Sequence, residues 1–155
     1  YVRQQINNGV DAIMIFDTWG GLLSGDNYEK FSLNYIQKII SSTYTEGVPV
    51  IYYSRSKSNF DKLKNLDIDC IGISSENNLG DIYKFFDEKF AIQGNLNTDI
   101  LRENKDTIRK GVIKTLETFP FKTGHVFNLG TGITPDVHPD KVSYLVDQVR
   151  ELSVK

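Results

Sequence analysis

The chain alternates between short apolar runs and longer amphipathic stretches, with polar loops between them. The first run, residues 10–16, is almost continuously apolar. A run of this kind is typical of a parallel strand that is covered on both faces. Four further runs predict strands of similar character, and they are residues 48–53, Cys70–Ile73, residues 90–95 and residues 124–130.

Apolar residues at helical spacing predict a helix after each strand. The first of these begins near Asp26, a candidate N-cap, and extends to about Glu46. Its predicted apolar face consists of Tyr28, Phe31, Tyr35, Ile39 and Ile40. Later helices are predicted over residues 59–65, 79–88 and 105–118. The last begins at Pro139, a residue favoured in a first turn, and its apolar face is Val142, Leu145, Val146, Val149 and Leu152.

Five alternating strands and helices predict a parallel α/β sheet, either doubly wound or closed as a barrel. Five units cannot close a (β/α)8 barrel, which usually takes about 250 residues. A flavodoxin-like sheet could be complete in 155 residues. The chain begins at Tyr1 without methionine, and residues 2–9 resemble a helix end with a glycine cap. We therefore expect the sequence to be part of a larger protein.

Composition and charge limit which kinds of partner and cellular compartment the sequence is compatible with. The net charge is −2 with acidic and basic residues interspersed, so no basic surface for nucleic acid is expected. No apolar run approaches the roughly 20 residues of a membrane span. The single cysteine, Cys70, lies in a predicted strand, where we expect it to be buried. One cysteine also fits a reducing compartment such as the cytoplasm.

The candidate site residues lie at or just after the carboxyl end of each predicted strand, which is the edge where parallel α/β proteins bind ligands. They are Phe16 to Trp19 including Asp17 and Thr18, then Ser54, Arg55 and Lys57, Ser74 to Asn77, Gln93 and Asn95, and Asn128, Thr131 and Thr134. These mostly neutral groups suit a ligand with carboxylate or phosphate oxygens. Gly130 and Gly132 either let backbone N–H groups approach an anion or serve only a tight turn.

The residue pattern gives little support for a metal site or for a catalytic nucleophile. His125 and His138 are far apart, and Cys70 has no partner at a zinc-site spacing. We expect His125 to be structural and His138 to lie in a helix cap. No G-x-S-x-G nucleophile motif is present. The residues alone thus predict part of a parallel α/β enzyme that binds an anionic small molecule, with the reaction undefined.

Three motifs closely resemble uroporphyrinogen decarboxylases, in the order and spacing of that family. They are FDTWGGLL at residues 16–23, QGNL at 93–96, and FNLGTGI at 127–133 followed by Pro135 and Asp136. The resemblance covers essentially the whole chain. It implies the C-terminal five βα units of a single (β/α)8 TIM barrel domain over residues 1–155, with the N-terminal three units absent from this sequence.

The resemblance also implies an activity. Members remove the acetate carboxylates of uroporphyrinogen III to form coproporphyrinogen III in haem biosynthesis, with no metal or organic cofactor, and are cytoplasmic homodimers. It implies that Phe16 packs against the porphyrinogen substrate, that Thr18 binds a carboxylate, and that Thr131 occupies a substrate-contact position. The catalytic residues are expected upstream, so this fragment alone is expected to be inactive.

Three departures from the family pattern keep alternatives open. Thr131 stands where the family usually has His, Asn97 and Thr98 stand where Asp-Pro is common, and Ser74 to Glu76 replace an Asp-Trp pair. Threonine is neutral at every pH, so no imidazole acts at position 131. The alternatives are a cobalamin-dependent methyltransferase of the same superfamily, whose zinc ligands are not seen in this half, and a degenerate non-enzymatic paralogue.

Overall fold

Five parallel strands form one sheet in the computed structural model of the protein, which describes residues 1–42, 47–55 and 59–153. The strands are β1 (Ile13–Asp17), β2 (Val50–Ser54), β3 (Cys70–Ile73), β4 (Ala91–Leu96) and β5 (His125–Leu129). Each pairs with its neighbours in chain order, β1-β2-β3-β4-β5. A flavodoxin-like sheet would have the order 2-1-3-4-5. The uninterrupted order is instead that of consecutive βα units of a (β/α)8 barrel.

Seven α-helices connect and flank the strands in the described residues. They are α1 (Val2–Asn7), α2 (Gly25–Tyr28), α3 (Asn34–Ser42), α4 (Phe60–Leu63), α5 (Leu79–Phe85), α6 (Lys105–Glu117) and α7 (Pro139–Leu152). The helices predicted after each strand are therefore confirmed, with shifts of a few residues at their ends. Gly9, at φ +79°, follows α1 as the glycine cap predicted there.

The helix after β1 differs from the prediction because it contains a π-helical segment, Glu29–Leu33, between α2 and α3. A π turn adds a residue to the helical repeat and rotates the following face. The predicted apolar face is consequently wrong at Phe31, Tyr35 and Ile39, which are 59%, 57% and 37% exposed. The buried apolar residues are Tyr28, Leu33, Ile36 and Ile40.

The predicted bounds of this helix, Asp26 and Glu46, are the next points of comparison. Ser24, not Asp26, occupies the N-cap position, and its side chain makes no capping hydrogen bond. Asp26 lies in the first turn, where a carboxylate is favourable. The predicted end near Glu46 falls outside the described residues.

Strand β1 is not covered on both faces, contrary to the sequence prediction. Ile13 is buried, but Phe16 is 67% exposed. In the described residues β1 pairs only with β2, and Met14 and Phe16 line an open cavity. One side of β1 therefore faces the cavity, whereas β3, which has a neighbour on each side, is buried throughout.

Two groups of buried side chains hold the helices on the sheet. The larger includes Tyr52, Phe60 and Phe90, and the smaller joins Leu96 to Ile108 and Leu145 of α6 and α7. Cys70 is buried, as predicted, and burial with the nearby Asp69 raises the pKa of its thiol to about 12. Among residues 1–42, 47–55 and 59–153, none of the helices combines the length and the apolar character that a membrane span requires.

The N-cap of α6 offers a test of this local structure. The Asn104 Oδ1 atom accepts hydrogen bonds from the Thr107 N–H at 2.9 Å and the Thr107 hydroxyl at 3.0 Å. Replacing Asn104→Ala should lower the free energy of unfolding by about 1 kcal/mol, measured by chemical denaturation. Asn104→Asp retains an acceptor and should be near neutral. Equal losses in the two variants would contradict a capping role.

Candidate active site

A cavity of about 650 Å³ lies at the carboxyl ends of the strands. Strand β1 forms one wall and the loop after β5 forms the opposite wall. The residues that the sequence predicted for this site and that line the cavity are Phe16, Thr18, Arg55, Gln93, Asn128, Gly130, Thr131 and Gly132. Sequence reasoning missed the other lining residues, which are Met14, Tyr53, Gly72, Ile73, Leu129 and Ile133.

The missed residues show that the site extends down the strands from their ends. Side chains two apart on a strand share a face, so Met14 lies on the side of Phe16 and Tyr53 on the side of Arg55. That periodicity was a usable signal for both residues. It adds an apolar floor beneath the polar rim.

Asp17 does not line the cavity and instead shapes the loop after β1. Its Oδ1 atom accepts the Gly20 N–H at 2.9 Å, and its Oδ2 atom accepts the hydroxyls of Ser32 at 2.5 Å and Tyr52 at 2.6 Å. A carboxylate that accepts several hydrogen bonds in a partly buried position is a strong local organiser. Asp17 therefore fixes the loop after β1, and its neighbours Phe16 and Thr18 line the cavity instead.

A buried pair of tyrosines extends the Asp17 network. The hydroxyls of Tyr28 and Tyr52 lie 2.7 Å apart, and both residues are fully buried. Burial raises the pKa of Tyr28 to about 12. Burial, Tyr28 and Asp17 together raise the pKa of Tyr52 still further above its ordinary value. The network links β1, α2 and β2 through neutral phenols around one carboxylate.

Tyr53 connects the two walls of the cavity. Its hydroxyl donates a 3.0 Å hydrogen bond to the Gly130 carbonyl, and its ring centre lies 5.9 Å from that of Phe16.

Gly130 approaches the backbone of the loop after β3 so closely that a Cβ atom would lie 2.4 Å from the Ser75 nitrogen. The Gly130 N–H donates to the Leu96 carbonyl at 2.8 Å. This N–H group is therefore already hydrogen-bonded within the protein, and the interpretation that it binds an anion is wrong at Gly130.

The polar groups after β3 and β4 mostly serve the protein itself. Asn95 is buried, and its side-chain amide donates to the carbonyls of Ser74 at 2.9 Å and Asn77 at 2.6 Å. Ser54 is also fully buried. Ser54, Ser74, Asn77 and Asn95 do not line the cavity. Trp19 is 75% exposed outside it, and Lys57 lies outside the described residues.

The loop after β5 is fastened to the loop after β4. The Thr98 hydroxyl lies 2.9 Å from the Thr131 hydroxyl and 3.0 Å from the Thr131 carbonyl. Arg102 donates to Thr134 at 3.0 Å and forms ion pairs with Asp136 and Asp99. The hydrogen bonds from Arg102 hold the pKa of Asp136 well below its usual range. Thr134 thus fixes the loop rather than lining the cavity.

Arg55 is the only charged side chain among the described residues that line the cavity. It is exposed, so a ligand anion could reach its guanidinium. Gln93 is 8% exposed, and its Oε1 atom has no hydrogen-bond partner among the described residues. A cavity with an apolar floor, neutral hydrogen-bonding groups and one cation suits an apolar ligand that carries carboxylates.

Both histidines have structural contacts, as the sequence predicts. The His125 Nε2 atom lies 2.8 Å from the Gly94 carbonyl, and burial lowers the pKa of the ring. The His138 Nδ1 atom accepts the Asp140 N–H at 3.2 Å and caps α7. No group of three or more His, Cys, Asp or Glu that could hold a metal occurs among residues 1–42, 47–55 and 59–153.

Five consecutive parallel βα units with a cavity at the carboxyl ends of the strands define a protein of the (β/α)8-barrel class. A solved methyltransferase from Methanosarcina mazei supports this fold, with a TM-score of 0.80 over 97% of this chain and 45% of its own, at 20% sequence identity. The model of the family "Uroporphyrinogen decarboxylase (URO-D)" matches residues 1–152. The chain belongs to this family.

Curated relatives agree with this membership along nearly the full length of the chain. The uroporphyrinogen decarboxylase of Legionella pneumophila (strain Paris) is 38% identical over 99% of this chain and 44% of its own length. The uroporphyrinogen decarboxylase of Vesicomyosocius okutanii is 40% identical over 99% of this chain and 45% of its own length. The uroporphyrinogen decarboxylase of Pseudomonas putida F1 is 38% identical over 100% of this chain and 45% of its own length. The chain therefore spans less than half the length of these relatives.

The tyrosine pair gives a pH prediction. A tyrosine in the unfolded chain has a pKa of about 10, whereas that of buried Tyr28 is about 12. The folded state retains protons that the unfolded state loses, so the free energy of unfolding should fall as pH rises from about 10 to 12 and be unaffected by this pair below that range. Denaturation curves and tyrosinate absorbance measure the effect.

Tyr28→Phe provides the matched variant for that measurement. It removes one of the two buried phenols and leaves the Tyr52 bond to Asp17 in place, so the alkaline loss of stability should become shallower. All eight tyrosines titrating together near pH 10 with the fold intact would contradict the prediction.

Proposed function

We propose that the full-length protein is a uroporphyrinogen decarboxylase, which converts uroporphyrinogen III to coproporphyrinogen III without metal or organic cofactor. The observation that carries the proposal is the placement of Phe16 and Thr18. Both belong to the first family-like motif, and both project from the end of β1 into the cavity. Family membership and the named relatives support the same activity.

The described residues suit the binding of a porphyrinogen with carboxylates at its edge. Phe16 presents a largely exposed ring, which would pack against a pyrrole. The Thr18 hydroxyl and the Asn128 amide would donate hydrogen bonds to carboxylates, and Arg55 would add a charge-assisted contact. Thr131 would contact the substrate from the opposite wall.

The reaction needs an electron sink, which a protonated pyrrole ring would supply. The bond between the acetate methylene and its carboxyl carbon breaks, its electron pair flows into the protonated ring, and carbon dioxide leaves. A proton then adds at the methylene carbon to give the methyl group, and the ring proton is released. We propose that the residues of this chain bind and orient the macrocycle, while the proton donor lies in the other half of the protein.

We further propose that this chain supplies five units of one barrel domain and that the rest of the protein supplies three. A second cavity of about 390 Å³, which lies between the edge of β5 and α7, supports the proposal of further barrel units. It is lined by apolar side chains including Phe127, Val142 and Val146, the last 41% exposed. A further βα unit would cover these surfaces. The homodimeric and cytoplasmic states implied by the resemblance stay predictions.

Turnover by the full-length protein tests the proposed activity. Uroporphyrinogen III, supplied under anaerobic conditions with a metal chelator present, should be converted to coproporphyrinogen, measured by chromatography of the oxidised porphyrins. Unchanged substrate after many enzyme equivalents would reject the decarboxylase. Tight porphyrin binding without turnover would instead identify the degenerate paralogue.

Thr18→Ala tests the β1 wall of the site. Loss of one hydrogen bond to a carboxylate should raise KM by roughly tenfold and leave kcat largely intact, because binding and not chemistry is affected. Thr18→Ser keeps the hydroxyl and should behave like the parent protein in steady-state kinetics. An unaltered KM in Thr18→Ala would leave Thr18 as a turn residue.

A further inference from the structure

Thr98 and Thr131 form a hydroxyl pair at the rim of the cavity. Thr98 is 6% exposed, while Thr131 is exposed and lines the cavity. The Thr98 Oγ1 atom lies within hydrogen-bond distance of both the hydroxyl and the carbonyl of Thr131. The buried residue therefore contacts the exposed one through two different acceptors.

The protons of this pair can be arranged in two ways. A carbonyl oxygen only accepts, so the 3.0 Å contact requires Thr98 to donate to the Thr131 carbonyl. Thr131 then donates to the Thr98 oxygen and offers the cavity only acceptor lone pairs. In the other arrangement Thr98 donates to the Thr131 hydroxyl oxygen. The Thr131 proton is then free to be donated to a ligand in the cavity that Thr131 lines.

An anionic ligand would favour the second arrangement. A hydroxyl that donates to a carboxylate forms a charge-assisted bond of roughly twice the neutral strength. The donation from Thr98 polarises the Thr131 hydroxyl in the same direction. Only hydroxyl rotation is required, because the heavy atoms already lie at 2.9 Å.

The surrounding loops hold the pair in place. The Gly130 N–H bond to the Leu96 carbonyl lies on one side of it, and the contacts of Arg102 with Thr134 and Asp136 lie on the other. Thr131 is thus fixed relative to Thr98 before a ligand binds, which lowers the entropic cost of forming the contact.

We propose that Thr98 is a positioning residue that turns Thr131 into a hydrogen-bond donor for a substrate carboxylate. The proposal rests on the proposed function, since it takes a carboxylate-bearing porphyrinogen as the ligand. Thr98 itself stays beneath the surface and acts through Thr131. Because neither hydroxyl titrates near neutral pH, the donor is available across the pH range in which the ligand is ionised.

A double-mutant cycle in the full-length protein tests the pair. Thr98→Val and Thr131→Val should each raise KM for uroporphyrinogen III by about two- to tenfold with little change in kcat. The double variant should be no worse than Thr131→Val alone, since Thr98 acts through Thr131. Additive effects, or an unchanged KM in Thr98→Val, would overturn the proposal.

Two further measurements separate this proposal from its alternatives. Thr98→Ser retains the hydroxyl and should restore the parent KM, whereas a purely steric role would leave it raised. The Kd for uroporphyrin III, followed by fluorescence quenching, gives the same cycle without turnover. Absence of turnover with the predicted coupling in Kd would reject the decarboxylase and keep the hydroxyl pair. Absence of both turnover and binding would overturn both.

Discussion

The carboxylate of Asp17 is the group on which the β1 side of the site depends. It joins the loop after β1, the helical segment at Ser32 and the phenol of Tyr52 through three hydrogen bonds. Without these donors the cost of burying its charge would be large. With them, the chain on either side is fixed, and Phe16 and Thr18 are directed into the cavity. Asp17, which does not line the cavity, thus determines where the two candidate binding residues Phe16 and Thr18 lie.

The sequence predicted the strands and their parallel arrangement because each apolar run is bounded by polar loops and followed by helical periodicity. It failed at Phe31, Tyr35 and Ile39, since a π segment changes the helical repeat without an obvious sequence signal. It also identified the cavity wall at Phe16, Thr18 and Thr131. It could not distinguish Thr18 and Thr131 from Asn95, whose side-chain amide donates to two loop carbonyls, because all three residues are polar and lie near the carboxyl end of a strand.

Two departures from the family pattern, at positions 98 and 131, were separate observations in the sequence. In the structure their side chains are in contact. The two positions that depart from the pattern implied by the resemblance are thus neighbours in space, and each carries a hydroxyl. Residues 33 apart in sequence carry no local pattern that would join them, so this relation required the tertiary structure.

The hydrogen bond from Tyr53 to Gly130 has a consequence for the shape of the site. Strands β2 and β5 are three positions apart, and in a flat sheet about 14 Å would separate them. The 3.0 Å contact spans this separation because Gly130 lies beyond the end of β5, in a loop that passes close to Leu96 of β4 and to Ser75 after β3. One side-chain bond therefore joins two cavity walls that strand pairing alone leaves unconnected.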